Sequence, residues 1–145
     1  MSLFTRLDHV GVAVPDLDEA IEFYTSVFGM RCTHVETNSE QAVREAMLEV
    51  GPRGGTIQLL APTGPDSPIA KFLDRSGPGV QQVAYQVDDV EAAAARLRER
   101  GLRVLYETAR PGTAGSLVNF VHPKDAGGVL VELVQHRDDP ERGPR

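Results

Sequence analysis

One cysteine, Cys32, is all that the 145 residues contain, so no internal disulfide can form and nothing calls for an oxidising compartment. Excess positive charge is missing too. Fifteen Lys and Arg stand against 21 Asp and Glu, a formal net charge of -6, which argues against nucleic acid because its binders need clustered cations to release counterions. The longest apolar stretches are strand-sized and carry polar residues, so neither a signal peptide nor a membrane span is visible, and a cytoplasmic protein is expected. Gly54-Gly55 and Gly127-Gly128 sit where hairpins would turn, and neither opens a helix, so a glycine-rich phosphate loop is absent as well. These exclusions leave a chain of ordinary globular statistics, 41% hydrophobic and 25% charged, with material for one compact core and a preference for a small-molecule substrate.

What is present is a pattern that occurs twice. Leu7 to Val14 alternates as a strand, Pro15-Asp16 caps a helix over Leu17 to Phe28, and Gly29 stops it. Strands are predicted over Met30 to Glu36, Ala42 to Val50 and Thr56 to Ala61, and a short helix over Ile69 to Arg75. The order then restarts. A strand over Val80 to Val87, a cap at Asp88-Asp89, a helix over Val90 to Arg100 and a strand over Leu102 to Tyr106 precede a Pro111 to Gly115 loop. Strands over Ser116 to Val121 and Val129 to Gln135 follow. The domain reading is therefore one domain over 1–136, built of repeats at about 6–62 and 79–136 around a connecting helix at about 67–76, with a flexible charged tail at 137–145.

Placing His9 over Gln82 gives an offset of 73, and Gln58 over Glu132 an offset of 74. In the first strand His9 shares its face with Leu7, Gly11 and Ala13, while Val10, Val12 and Val14 take the other. Helix packing claims the valine face, and the small residues leave room beside His9. Gln82, Ala84 and Gln86 repeat that arrangement, and Gln58 and Glu132 each interrupt an aliphatic strand. A carboxylate buried without a partner is costly, so Glu132 demands a counter-charge, which a divalent cation would supply. A plain buried His9–Glu132 pair with two satisfied core amides is the blander alternative.

The stretches Leu7-Asp8-His9-Val10-Gly11-Val12-Ala13-Val14, Gln41 to Met47, Asn119 to Lys124 and Gly128 to Leu133 together resemble the methylmalonyl-CoA epimerase family of the vicinal oxygen chelate superfamily. The resemblance runs from Leu7 to Gln135 and implies a glyoxalase-like α+β fold: two βαβββ repeats forming a curved, mostly antiparallel, cup-like sheet around a metal. It implies His9, Gln58, Gln82 and Glu132 as metal ligands, with Gln82 standing where the family pattern has a histidine. Such an oxygen-rich set favours Co²⁺, with Mn²⁺ and Mg²⁺ next and Ni²⁺ or Zn²⁺ also compatible. Glu45 and Glu132 are the implied acid/base pair, Glu45 lying on the strand face of Val43 and Met47, where apolar neighbours favour a raised pKa. Its repeat equivalent at the offset of 74 is Asn119. Asn119, Lys124 and Lys71 are candidates for holding an acyl-CoA thioester, although single basic residues on loops are commonly solvated.

The implied reaction is metal-dependent interconversion of (R)- and (S)-methylmalonyl-CoA through an enolate, in a homodimer. A glyoxalase I-like lyase would prefer a glutamate where Gln58 stands. An extradiol dioxygenase needs a second histidine that Gln58 and Gln82 deny. A metal-free binding protein of the same fold is the rival from outside enzymology.

Overall fold

The computed structural model describes residues 2–137, so the expected flexible tail lies, apart from Arg137, outside the described residues. Two compact units emerge from the contacts, one of Asp8–Ala84 and one of Met1–Leu7 with Tyr85–Arg145. Both contain strands and helices, as the α+β reading requires.

In the Asp8–Ala84 unit the strands lie in the order β2 (Arg31–Asn38), β3 (Val43–Glu49), β4 (Thr56–Pro62), β1 (Arg6–Ala13), β5 (Gly79–Gln86), with β1 and β5 each running on past the unit's limit. The antiparallel β2–β3–β4 meander joins β1 through a parallel ladder in which Gly11 faces Gln58 and Ala13 faces Leu60. Helix α1 (Leu17–Ser26) starts where Asp16 accepts the Glu19 N–H at 3.0 Å, satisfying a donor of the open first turn. It ends two residues before the expected Phe28, and Gly29 takes the left-handed φ of 72° that a glycine adopts freely.

Alternation sorts this sheet's two faces. Val12 and Val14 pack with Leu17, Ala20, Ile21 and Tyr24 of α1 and with Ala46, Leu48 and Leu59, as the valine face was expected to do. On the reverse, Ala13, Val43 and Leu60 meet Ile69, Phe72 and Leu73 of α2 (Pro68–Ser76). That helix is opened by Ser67, whose hydroxyl accepts the Ile69 N–H at 3.2 Å.

In the second unit, β8 (Val131–Gln135), β7 (Leu117–Val121) and the two-residue β6 (Arg110–Pro111) pair antiparallel. The end of β5 is continued by the Val87 N–H, which donates to the Val134 carbonyl. Helix α3 (Val90–Glu99), capped by Asp89, covers Val121 and Leu133 through Val90 and Ala93. Upstream, Phe4 stacks on Tyr85 with ring centres 4.5 Å apart.

Here the structure corrects one expected element. Leu102 to Tyr106 is not a strand; a single bridge, Val104 to Val121, is all the pairing it makes. Side chains have taken its backbone groups instead. Arg98 donates to the carbonyls of Val104 and Tyr106, the Arg103 N–H donates to Asp125, and both backbone groups of Tyr106 go to Asn119. The edge of the sheet is formed by Arg110–Pro111, whose Pro111 opens the stretch expected to be a loop, and a proline is tolerated on such an edge.

Arg103 and Asp125 make three hydrogen bonds between them, at 2.9, 2.9 and 3.0 Å. Donation from the guanidinium, then from the Arg103 backbone N–H, holds the Asp125 carboxyl well below the usual carboxylate range. A depressed carboxyl pKa contributes stability above the unfolded value and loses it as the pH falls through and below that value. Asp125→Asn should therefore lower the melting temperature slightly at neutral pH and flatten its decline on acidification, with the difference shrinking in high salt. An unchanged acid limb in thermal melts would show that the pair is idle.

Candidate active site

The buried polar side chains of the Asp8–Ala84 unit gather on the sheet face opposite α1. Glu45 alternates with Val43 and Met47 on β3, Gln58 faces Met47 from β4, and His9 shares its β1 face with Gly11 and Ala13. All three are buried, at 4%, 3% and 3% exposure for His9, Glu45 and Gln58, so each polar group needs a partner.

A chain of hydrogen bonds supplies part of that. Nε2 of Gln82 donates to Oε1 of Gln58 at 2.9 Å, and Nε2 of Gln58 donates to Oε2 of Glu45 at 2.8 Å. Glu45 is 3% exposed, which rules out a solvated strand-edge glutamate. A glutamate in place of Gln58, as a glyoxalase I-like pattern would have, would set a second carboxylate at hydrogen-bond distance from Glu45. Like charges so placed cannot both stay ionised.

His9 carries a feature that sequence reasoning missed. Its Nδ1 lies 2.7 Å from Oδ2 of Asp8, the residue that strand alternation would send to the opposite face. The adjacent Asp-His pair was the available signal. A carboxylate on Nδ1 places the imidazole proton there and the ring's lone pair on Nε2, the arrangement common to metal-binding histidines.

The donor set fits a hard divalent cation. Imidazole nitrogen and two amide oxygens come from one face, and a carbonyl oxygen has two lone pairs, so a hydrogen bond at Gln58 Oε1 leaves capacity for a cation contact. Among the described residues no three His, Cys, Asp or Glu side chains form a metal-binding group, so the amides are essential to any site here.

Three of the four expected ligands, His9, Gln58 and Gln82, belong to the Asp8–Ala84 unit together with Glu45. The sequence repeats had assigned two ligands to each half; β5 contributes its first six residues to the earlier unit and so brings Gln82 with it. Glu132 is in the other unit, on β8, 6% exposed and facing Phe120 across the ladder.

Asn119 is corrected by register. It faces Leu133, which packs under α3, whereas Glu132 faces Phe120 on the other side of the same ladder. Since Gln58 faces Met47 and Glu45 faces Leu60, the counterparts of Met47 and Glu45 are Phe120 and Val118. The offset is 73, not 74, and one residue reverses the face. The Asn119 oxygen accepts from the N–H groups of Tyr106 and Phe120, and its nitrogen donates to the Tyr106 carbonyl. Asn119 is thus an anchor for the Tyr106 segment and not the expected counterpart of Glu45. Lys71, on α2, and Lys124, in the 3₁₀ turn Pro123–Asp125, are both exposed.

Residues 8–120 match the family model of the Glyoxalase/Bleomycin resistance protein/Dioxygenase superfamily. The chain belongs to that superfamily, and its fold is the glyoxalase-like α+β fold. It is 42% identical over 131 residues to mitochondrial methylmalonyl-CoA epimerase of Mus musculus, a match covering 90% of this chain and 72% of the mouse protein. The crystal structure of methylmalonyl-CoA epimerase from Mycobacterium tuberculosis superposes with a TM-score of 0.92 at 54% identity, covering 98% of this chain and 95% of that one. A variant of the Streptomyces coelicolor methylmalonyl-CoA epimerase in complex with 2-nitronate-propionyl-CoA gives a TM-score of 0.88 at 45% identity, covering 93% and 99%. Within the superfamily the chain belongs to the methylmalonyl-CoA epimerase family.

Asn119→Ala would take the Asn119 acceptor from the Tyr106 N–H, while Arg98 still donates to the Tyr106 carbonyl, and should cost about 1–3 kcal/mol of stability, read from denaturant unfolding. Amide exchange should rise first around Tyr106. A loss below about 0.5 kcal/mol would remove the anchoring role, that being the range of ordinary surface changes.

Proposed function

We propose that this chain is an isomerase that interconverts (R)- and (S)-methylmalonyl-CoA by moving the proton at C2. The observation that carries the reading is the Glu45 carboxylate, buried between Val43 and Met47 on its strand face and held by Gln58, in a chain of this family. A carboxylate enclosed in this way keeps a defined direction, and a base must be positioned before its basicity matters.

Glu45 removes the C2 proton from one face or returns one to it. Glu132 is the partner expected for the opposite face, so a proton taken by one carboxylate and one delivered by the other inverts C2 with no net change in protonation. Gln58 fixes which Glu45 oxygen is occupied and thereby the direction of the carboxylate. His9, Gln58, Gln82 and Glu132 are the residues that would hold a divalent cation, Co²⁺ being our first choice. A cation so held supplies electrophilic stabilisation for the negative charge that develops as C2 loses its proton.

The substrate is an acyl-CoA thioester, as the ligand of the Streptomyces coelicolor complex supports. Lys71 and Lys124 are retained as candidate contacts for its acidic groups. A homodimer and a cytoplasmic location complete the proposal; among the described residues no helix is long and apolar enough to cross a membrane, and the mouse relative is named as mitochondrial.

With Co²⁺ or Mn²⁺ supplied, the protein should incorporate deuterium from D₂O at C2 of methylmalonyl-CoA and epimerise it. Absence of exchange with both metals would sink the assignment. Glu45→Gln should slow epimerisation by about a hundredfold or more, the range for removing a general acid/base. Glu132→Ala should reduce the metal bound per chain, measured by elemental analysis of the purified protein. Unchanged metal content would remove Glu132 from the ligand set.

A further inference from the structure

The chain of amides extends beyond the residue that touches Glu45. Gln82 is on β5 and Gln58 on β4, and β1 lies between them in the strand order. Adjacent strands are about 4.8 Å apart, so a side chain reaching from β5 to one on β4 has to pass over the intervening strand.

Gly11 is the residue passed over. It faces Gln58 in the β1–β4 ladder, and a Cβ built on it would lie 2.7 Å from Cδ, 2.9 Å from Cγ and 3.0 Å from Nε2 of Gln82. The room expected beside His9 is therefore filled by Gln82. Gly11 has no unusual φ, so glycine is needed here for the space above its backbone and not for its conformational freedom.

The orientation of the amides follows from chemistry. An ionised carboxylate only accepts hydrogen bonds, so Gln58 must turn its NH₂ group toward Glu45. Its oxygen then faces Gln82, which must present its own NH₂ group in turn. A side chain at position 82 that could not donate would leave the Gln58 oxygen without this partner, and the amide could rotate away from Glu45.

We infer that Gln82 is a positioning residue for Glu45, acting through Gln58 across the gap that Gly11 leaves. This role is separate from any contact of Gln82 with a cation, and it rests on the reading of Glu45 as an acid/base residue for C2. It also accounts for a glutamine serving at a position where the family pattern has a histidine, since either side chain can donate to the Gln58 oxygen.

The two roles differ in symmetry. Loss of a cation or of the fold slows proton removal from both stereoisomers, whereas misdirection of Glu45 slows it only for the stereoisomer whose proton Glu45 takes. The experiment is the initial rate of deuterium incorporation from D₂O, measured separately from (R)- and (S)-methylmalonyl-CoA, in the full chain with saturating Co²⁺. Thermal melts and metal analysis accompany each variant.

Gln82→Met keeps the length and removes the donor. Loss of the Gln82 oxygen as a cation contact slows both stereoisomers alike, so the readout is the ratio of the two rates. Exchange from one stereoisomer should fall about ten- to a hundredfold further than from the other, as expected for a misplaced reacting group, whereas Gln82→His, which keeps an N–H for the Gln58 oxygen, should leave that ratio within about twofold of the unaltered protein. Gly11→Ala pushes on the mobile end of Gln82 and should give the same one-sided loss. The double variant should be no slower than Gln82→Met alone, because both changes break one connection. Equal slowing of both stereoisomers, unchanged rates in Gln82→Met, or additive losses in the double variant would each overturn the inference. Absence of exchange in the unaltered protein would instead overturn the function proposed for Glu45.

Discussion

A buried carboxylate that can only accept hydrogen bonds sets the terms for one whole face of the Asp8–Ala84 sheet. Glu45 requires a donor, and a glutamate at position 58 would have set like charges against each other; Gln58 meets the requirement with the nitrogen end of its amide. That choice turns the oxygen end toward Gln82, whose reach across β1 in turn forbids a side chain at Gly11. Three strands, β3, β4 and β5, are thereby tied through polar side chains across β1, on a face where Ala13, Val43 and Leu60 pack against α2. The apolar half of that face excludes water, and exclusion of water strengthens the polar half.

Much of this was legible in the sequence because the responsible physics is local. Period-two alternation identified β1 and its two faces, and the capping acids Asp16 and Asp89 located α1 and α3 to the first residue. The polar interruptions at Gln58 and Glu132 stood out because aliphatic strands tolerate few of them. The failures came where side chains replaced backbone pairing or where register decided the outcome. Leu102 to Tyr106 has the composition of a strand, but Arg98, Asp125 and Asn119 absorb its backbone groups. Asp8 stayed unnoticed because alternation assigns it to the wrong face.

Family likeness and site geometry support the reading from different directions. The resemblance to methylmalonyl-CoA epimerases covers nearly the full chain and extends to the fold, but it says little about how an amide serves where a histidine is usual. The geometry addresses that point. Through Gln82 the position retains its donor toward Gln58, and an amide oxygen is a harder ligand than an imidazole nitrogen. On the function proposed, glutamine at this position would change the electronic character of the cation site while leaving the orientation of Glu45 intact.

The displaced register of β7 bears on how the two halves of such a chain have diverged. Asn119 occupies the aligned position but faces α3, while Val118 holds the place on the Glu132 side of the ladder that corresponds to Glu45 in the earlier hairpin. A history in which the two copies once carried the same carboxylate must pass through position 118, where valine now stands, and ancestral reconstruction guided by linear alignment would restore it to the wrong face. The anchoring amide at Asn119 then has no acid as its counterpart, since it lies on the other side of the ladder and serves the backbone of Tyr106.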